Sequence, residues 1–112
     1  MLQNDDHFLI NTGGSTRAVR IGSLKCITAL GDYSAIVTGE NKFLVRKTMK
    51  DWLEILPPRF FIRIHRSTII NIAFIDRIER MINRTYLVYI KNMNKPFIIS
   101  RRYSSGIRNK FI

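Results

Sequence analysis

Along most of this chain, apolar and polar residues alternate with a period of two in short runs, and each run closes on a turn signal. A period of two sends successive side chains to opposite faces, so these runs fit half-buried antiparallel strands rather than helices. Residues 8–12 reach Gly13-Gly14-Ser15 and return as 17–21, an opening hairpin. Residues 25–30 precede Gly31-Asp32, residues 33–38 run to Gly39-Glu40-Asn41, and 42–47 follow, which predicts three strands in a meander. Residues 75–81 and 85–90 flank Asn83-Arg84, and 96–100 follow Asn92-Met93-Asn94, giving a second set of strands. The expected fold class is mainly β.

Two segments break the alternation. In residues 48–56, Met49, Trp52, Leu53 and Leu56 recur at i, i+3, i+4 and i+7 behind Thr48-x-x-Asp51, the pattern of a short amphipathic helix opened by a capping box. Pro57-Pro58 ends it, since proline lacks an amide donor and disfavours helical geometry in the residue before it. In residues 101–111, Tyr103, Ile107 and Phe111 fall four apart behind Ser100 as N-cap, which predicts a C-terminal helix in spite of Gly106. No repeat, low-complexity tract or linker interrupts the chain, so a single domain over 1–112 is expected, with its core over about 8–111.

Charge limits the choice of partner. The chain carries 19 Lys and Arg against 8 Asp and Glu, a net charge of +11. Residues 1–56 hold 7 basic and 6 acidic groups, whereas 57–112 hold 12 and 2, so the second half supplies nearly all of the positive field. Such a field draws in polyanions without deciding between DNA, RNA and anionic lipid. No apolar run approaches the ~20 residues of a membrane span. Residues 1–10 carry Asp5 and Asp6 and lack the basic start of a secretory signal, so the cytoplasm is the expected compartment. The single cysteine, Cys26, lies in an apolar-alternating run and is expected to be buried and inert. No Cys or carboxylate stands at ligand spacing from His65, and His7 is remote, so neither a metal nor another cofactor is expected.

Residues 60–78 are the most distinctive stretch. Arg63, His65, Arg66, Ser67 and Asn71 are interleaved there with Phe61, Ile62, Ile64, Ile69, Ile70, Ile72 and Phe74, so that apolar residues anchor a backbone from which polar ones project. The planar fork of a guanidinium grips a phosphate or pairs bidentately with guanine O6 and N7. Phe61-Ile62-Arg63-Ile64-His65-Arg66-Ser67, then Ile70-Asn71, Ile75 and Ile78, resemble the central signature of the LytTR family of bacterial DNA-binding domains. Gly31-Asp32-Tyr33-Ser34 is similar to that family's loop after the first core strand, residues 48–56 to the short helix before the signature, and Ile99-Ser100-Arg101-Arg102-Tyr103 to the closing motif. The resemblance covers about residues 8–111.

The resemblance implies an elongated antiparallel β-sheet or sandwich architecture with one short helix and a short C-terminal helix. Loops, rather than a recognition helix, would enter successive major grooves of double-stranded DNA and bend it. It further implies transcriptional regulation at promoter direct repeats, by a domain that is monomeric in isolation and paired on DNA. Family members commonly form the output half of a two-component response regulator, behind a phosphorylated receiver domain. A receiver adds roughly 120 residues of alternating strand and helix, and none is present here, so the chain is expected to be an excised domain or a protein that works without one.

Carried over by position, the base-contact candidates are Asp32, Tyr33 and Ser34, then His65 and Arg66, then Arg101. Asp32 is alternatively a plain turn residue, His65 a structural support of its loop, and Arg66 and Arg101 solvated or ion-paired charges. Lys47, Arg63, Ser67, Arg77 and Arg102 are candidates for phosphate contacts, and Asn71 is expected to tie down the loop backbone. Two other classes of function compete. An RNA-binding β module would stack bases on Tyr86, Tyr89 and Phe97. A small enzyme would use His65 with Asp76, but no acid and base stand at an interpretable spacing, so no enzymatic activity is expected.

Overall fold

The computed structural model describes residues 2–39 and 41–111; Glu40, in the turn predicted at 39–41, and the two terminal residues lie outside them. The opening hairpin pairs His7–Asn11 (β1) with Thr16–Arg20 (β2). Leu24–Leu30 (β3), Tyr33–Thr38 (β4) and Asn41–Val45 (β5) form the meander, and Phe61–His65 (β6) and Thr68–Asn71 (β7) a second hairpin. These five strands make one antiparallel sheet in the order β5-β4-β3-β7-β6. Ile75–Arg80 (β8), Tyr86–Ile90 (β9) and Phe97–Ile99 (β10) make a three-stranded sheet in the order β10-β9-β8. The architecture is thus mainly antiparallel β with two short helices, and its extents of 45 × 26 × 25 Å make it elongated.

The five-stranded sheet is the middle layer and has a core on each face. Ile10, Val19, Ile36, Trp52 and Ile69 lie in the core shared with the opening hairpin and the first helix. Cys26, Ile64, Ile70, Val88, Ile99 and Ile107 lie in the core shared with the three-stranded sheet. A register shift between Leu24 and Cys26 leaves Lys25 as an extra residue in β3. One extra residue reverses the alternation, so Leu24 and Ile27 reach the first core while Cys26 faces the second. A similar shift lies between Arg63 and His65 in β6. Burial pushes the Cys26 thiol up to about 11, against smaller opposing effects of Lys42 and Lys25.

The first helix, Met49–Ile55 (α1), starts at the predicted capping box. Thr48 Oγ1 accepts from the Asp51 amide at 3.2 Å, and Asp51 Oδ2 accepts from the Thr48 amide at 3.1 Å. Hydrogen bonds from the Thr48 backbone and hydroxyl hold the Asp51 carboxyl below its usual range. Met49, Trp52 and Leu56 are buried, but Leu53 turns outward and is 41% exposed. At about 100° per residue, Leu53 falls on the rim of a stripe centred on the other three.

The C-terminal helix is shorter than the pattern predicts. Arg101–Tyr103 form a 3-10 turn, and only Ser104–Arg108 (α2) is α-helical. The Ser104 amide and hydroxyl both donate to the Arg101 carbonyl, which closes the tighter turn, and Ser100 makes no side-chain cap. Phe111 lies beyond the helix, edge-on to Tyr86 at 6.2 Å. Among the described residues no helix is long and apolar enough to cross a membrane.

Candidate nucleic-acid interface

Strand direction decides which loops meet. β3 ends at Leu30, and its last residues pair with the first of β4, Leu30 with Tyr33 and Thr28 with Ala35. Thr28 also pairs with Thr68 at the start of β7, so the turn at 66–67 lies at the same end of the sheet as the turn at 31–32. β5 runs back to that end, where Val45 pairs with Ser34, and therefore delivers Arg46 and Lys47 there. The Ser100 amide donates to the Ile64 carbonyl at 2.9 Å, which sets Arg101 beside the end of β6. Tyr86 pairs with both Ile99 and Arg80, which brings the turn between β8 and β9 to the Arg101 end of the smaller sheet. With strands about 4.8 Å apart, the turns at 31–32 and 66–67 are close neighbours.

The turn between β6 and β7 is braced from within. The Arg63 guanidinium donates through Nε to the His65 carbonyl at 3.3 Å and through Nη2 to the Arg66 carbonyl. It also lies over the Tyr103 ring, 5.6 Å from its centroid. Arg63, a phosphate candidate in the sequence, is thus a brace whose fork is directed at the backbone. His65 Nδ1 accepts from the Ser67 amide at 3.2 Å and lies 3.0 Å from the Ser67 hydroxyl, so a neutral ring carries its proton on Nε2. The Ala29 amide donates to the Ser67 carbonyl at 2.8 Å and ties the turn to β3. Arg66 is left exposed at the tip. Asn71 is fully buried; its Nδ2 donates to the Leu24 carbonyl at 2.9 Å and its Oδ1 accepts from the Ala73 amide at 2.9 Å.

At the neighbouring turn Asp32 and Tyr33 are exposed, and Gly31 takes φ +60°. Ser34, a base-contact candidate in the sequence, lies beneath this turn. Its side chain is fully buried, its hydroxyl accepts from Trp52 Nε1 at 2.7 Å, and it donates to the Val45 carbonyl at 3.4 Å, so it has no face to offer a base. Asp32 instead shares a cleft of about 360 Å³ with Arg46, Lys47, Thr48 and Asp51. Lys47 lies over the Trp52 ring at 5.7 Å. Sequence reasoning passed over Arg46; its signal is its place after the strand that pairs with β4.

At the third point Arg101 and Arg102 are exposed, Arg102 lying 5.7 Å from the centroid of the Tyr103 ring. Arg77, a phosphate candidate in the sequence, is engaged within the chain: its guanidinium stacks on Tyr89 at 3.8 Å and bonds Asp76 at 3.1 Å and Glu79 at 3.4 Å. Asp76 and Glu79 are the two carboxylates of residues 57–112, and both are taken by this one arginine. Among the described residues, neither Arg66 nor Arg101 forms an ion pair.

The side chains named for the other two readings are engaged within the fold. Tyr86 is buried, Phe97 packs on the second core and Tyr89 is covered by Arg77, so these rings form no open stacking platform. Asp76 engages Arg77 and His65 engages Ser67, and the two do not form a pair. Among the described residues no three His, Cys, Asp or Glu side chains gather as metal ligands.

Known proteins place the chain. The solved LytTr DNA-binding domain of a putative methyl-accepting/DNA response regulator from Bacillus cereus superposes with a TM-score of 0.83 over 92% of this chain and 94% of that domain's chain, at 22% identity, which shows the fold. Transcriptional regulatory protein LytR of Staphylococcus aureus (strain N315) is 33% identical over 69 residues, 59% of this chain and 28% of its own length. Sensory transduction protein LytR of Streptococcus agalactiae serotype V is 31% identical over 68 residues, 61% and 27% respectively. The matched segment thus spans under a third of these relatives. The sequence model described as LytTr DNA-binding domain matches residues 14–112, and the chain belongs to that family.

Proposed function

We propose that this domain binds double-stranded promoter DNA sequence-specifically and so regulates transcription in the bacterial cytoplasm. The observation that carries the proposal is the gathering of Asp32 and Tyr33, Arg66 and Arg101 on turns brought together by strand direction, with no ion pair on either arginine among the described residues. Arg66 and Arg101 read base edges in the major groove, where a guanidinium fork matches guanine. Arg46, Lys47 and Arg102 hold phosphates and set the register. Arg63, His65, Ser67 and Asn71 shape the loop that carries Arg66.

The molecule's long dimension of 45 Å compares with the ~34 Å of one turn of B-DNA. Recognition of successive major grooves, and of direct repeats by copies that are monomeric alone and paired on DNA, accords with that length. Relatives more than three times as long as the matched segment accord with a receiver domain in a longer parent chain. Selection of bound sites from random duplex DNA tests the proposal: a motif recovered as repeats supports it, and no enrichment over the starting pool contradicts it.

A further inference from the structure

The turn between β8 and β9 has features that a connecting hairpin does not need. The Thr85 amide donates to the Ile82 carbonyl at 3.2 Å and the Met81 amide to the Thr85 carbonyl at 2.8 Å, which closes a four-residue turn over 82–85. Its central residues, Asn83 and Arg84, both have positive φ, at 57° and 61°. Two successive left-handed residues define the turn type that suits the twist of a hairpin, and Asn-Gly is its favoured pair. Asparagine tolerates this backbone; arginine at the second position does not, and glycine would take it without strain. Among the described residues no other part of the chain covers the turn: Ile82 at its first position is 80% exposed, and Asn83 and Arg84 are exposed.

The strained arginine also faces a like charge. Asn83, Arg84 and Arg101 line a common cleft of about 380 Å³, and among the described residues no carboxylate lines it. The two carboxylates of this half of the chain are held by Arg77, which leaves the positive charge lining this cleft without a partner carboxylate among the described residues. A basic side chain on a left-handed turn, beside a second arginine, suits an external anion. Backbone phosphate fits best, because guanidinium forks and the Asn83 amide all donate to phosphate oxygens.

We propose that the cleft between the β8–β9 turn and Arg101 is a phosphodiester-binding site, with Arg84 as its principal ligand. This rests on the DNA-binding reading above and adds a further contacting turn to it. The phosphate held there lies next to the base that Arg101 reads, and Arg84 adds affinity through the DNA backbone alone. Arg84 itself carries no sequence information.

The test uses the whole chain with two labelled 30-base-pair duplexes, one recovered by selection and one of random sequence, titrated by fluorescence anisotropy across a salt series. Arg84→Gly relieves the backbone, so its melting temperature equals or exceeds that of the unaltered protein. Its affinity is expected to fall by about five- to tenfold at 0.1 M salt, equally on both duplexes. The slope of log affinity against log salt is expected to shrink by about one, while Arg84→Lys keeps the slope. Unchanged affinity and slope in Arg84→Gly would overturn the proposal, as would a loss confined to the selected duplex. Inorganic phosphate that binds the unaltered protein but not Arg84→Gly, with DNA affinity and slope the same in both, would assign the cleft to a free anion and also overturn it. Absence of binding by the unaltered protein to either duplex would overturn the DNA-binding reading itself, a result distinct from an unaltered protein that binds and a variant that matches it.

Discussion

Arg63 and Arg66 stand three residues apart on one hairpin, and the guanidinium of Arg63 donates to the main-chain carbonyl of Arg66. One arginine therefore builds the turn that displays the other. Arg66→Ala is expected to lose about 1–3 kcal/mol on a selected duplex and little on random DNA. Arg63→Ala is expected to lose sequence preference too, through a loosened turn. The double variant should then lose little more than the worse single one, as residues acting as a unit do. Additive losses in a double-mutant cycle by anisotropy would show that Arg63 contacts DNA independently.

Ser34 makes the converse prediction. Ser34→Ala leaves the indole N–H of Trp52 unpaired in the core, a cost of about 1–3 kcal/mol. Urea unfolding is expected to report that loss while the selected motif stays the same. An altered motif with unchanged stability would return Ser34 to the base-reading set.

Arg77 should matter less in binding than Arg101. Its guanidinium is engaged by Asp76 and Glu79, so Arg77→Ala is expected to reduce the salt dependence of DNA affinity less than Arg101→Ala does. An equal reduction for Arg77→Ala in the same titration would mean that the ion pairs open on DNA.

Cys26 ties stability to pH. Burial raises its thiol from an ordinary value of about 9 to about 11, so the unfolded chain gives up this proton first as pH rises. The contribution of the neutral thiol is complete below pH 9 and declines toward pH 11. The difference in unfolding free energy between the unaltered protein and Cys26→Ala is expected to narrow across that window in urea titrations. A constant difference would contradict burial as the cause.

The prediction about Ser34 also shows where sequence reading stops. Alternation located the hairpins because most strands lie against a core, but β4 and β7 lie in the middle layer with both faces covered. A polar residue there, such as Ser34, then looks the same as one on a solvent face. The extra residue at Lys25 reverses the faces of β3 and leaves no mark in composition. Arg63 and Arg66 are alike in the sequence, and only the path of the turn makes one a brace and the other a tip. The helix start at Thr48 was legible because a capping box is local chemistry. The shortened C-terminal helix was not, because it depends on Ser104 binding the Arg101 carbonyl twice. Arg84 was hidden for the opposite reason: a turn residue reads as punctuation until the fold sets it across from Arg101.

The central claim is that separate loop tips read separate bases. The measurement that tests it most directly is selection from random duplex DNA, run side by side with the unaltered protein, Arg66→Ala and Arg101→Ala. The account predicts one motif for the unaltered protein, with information lost at one position in Arg66→Ala and at a different position in Arg101→Ala. The same motif at full strength in all three, or uniform loss across it in both variants, would contradict it.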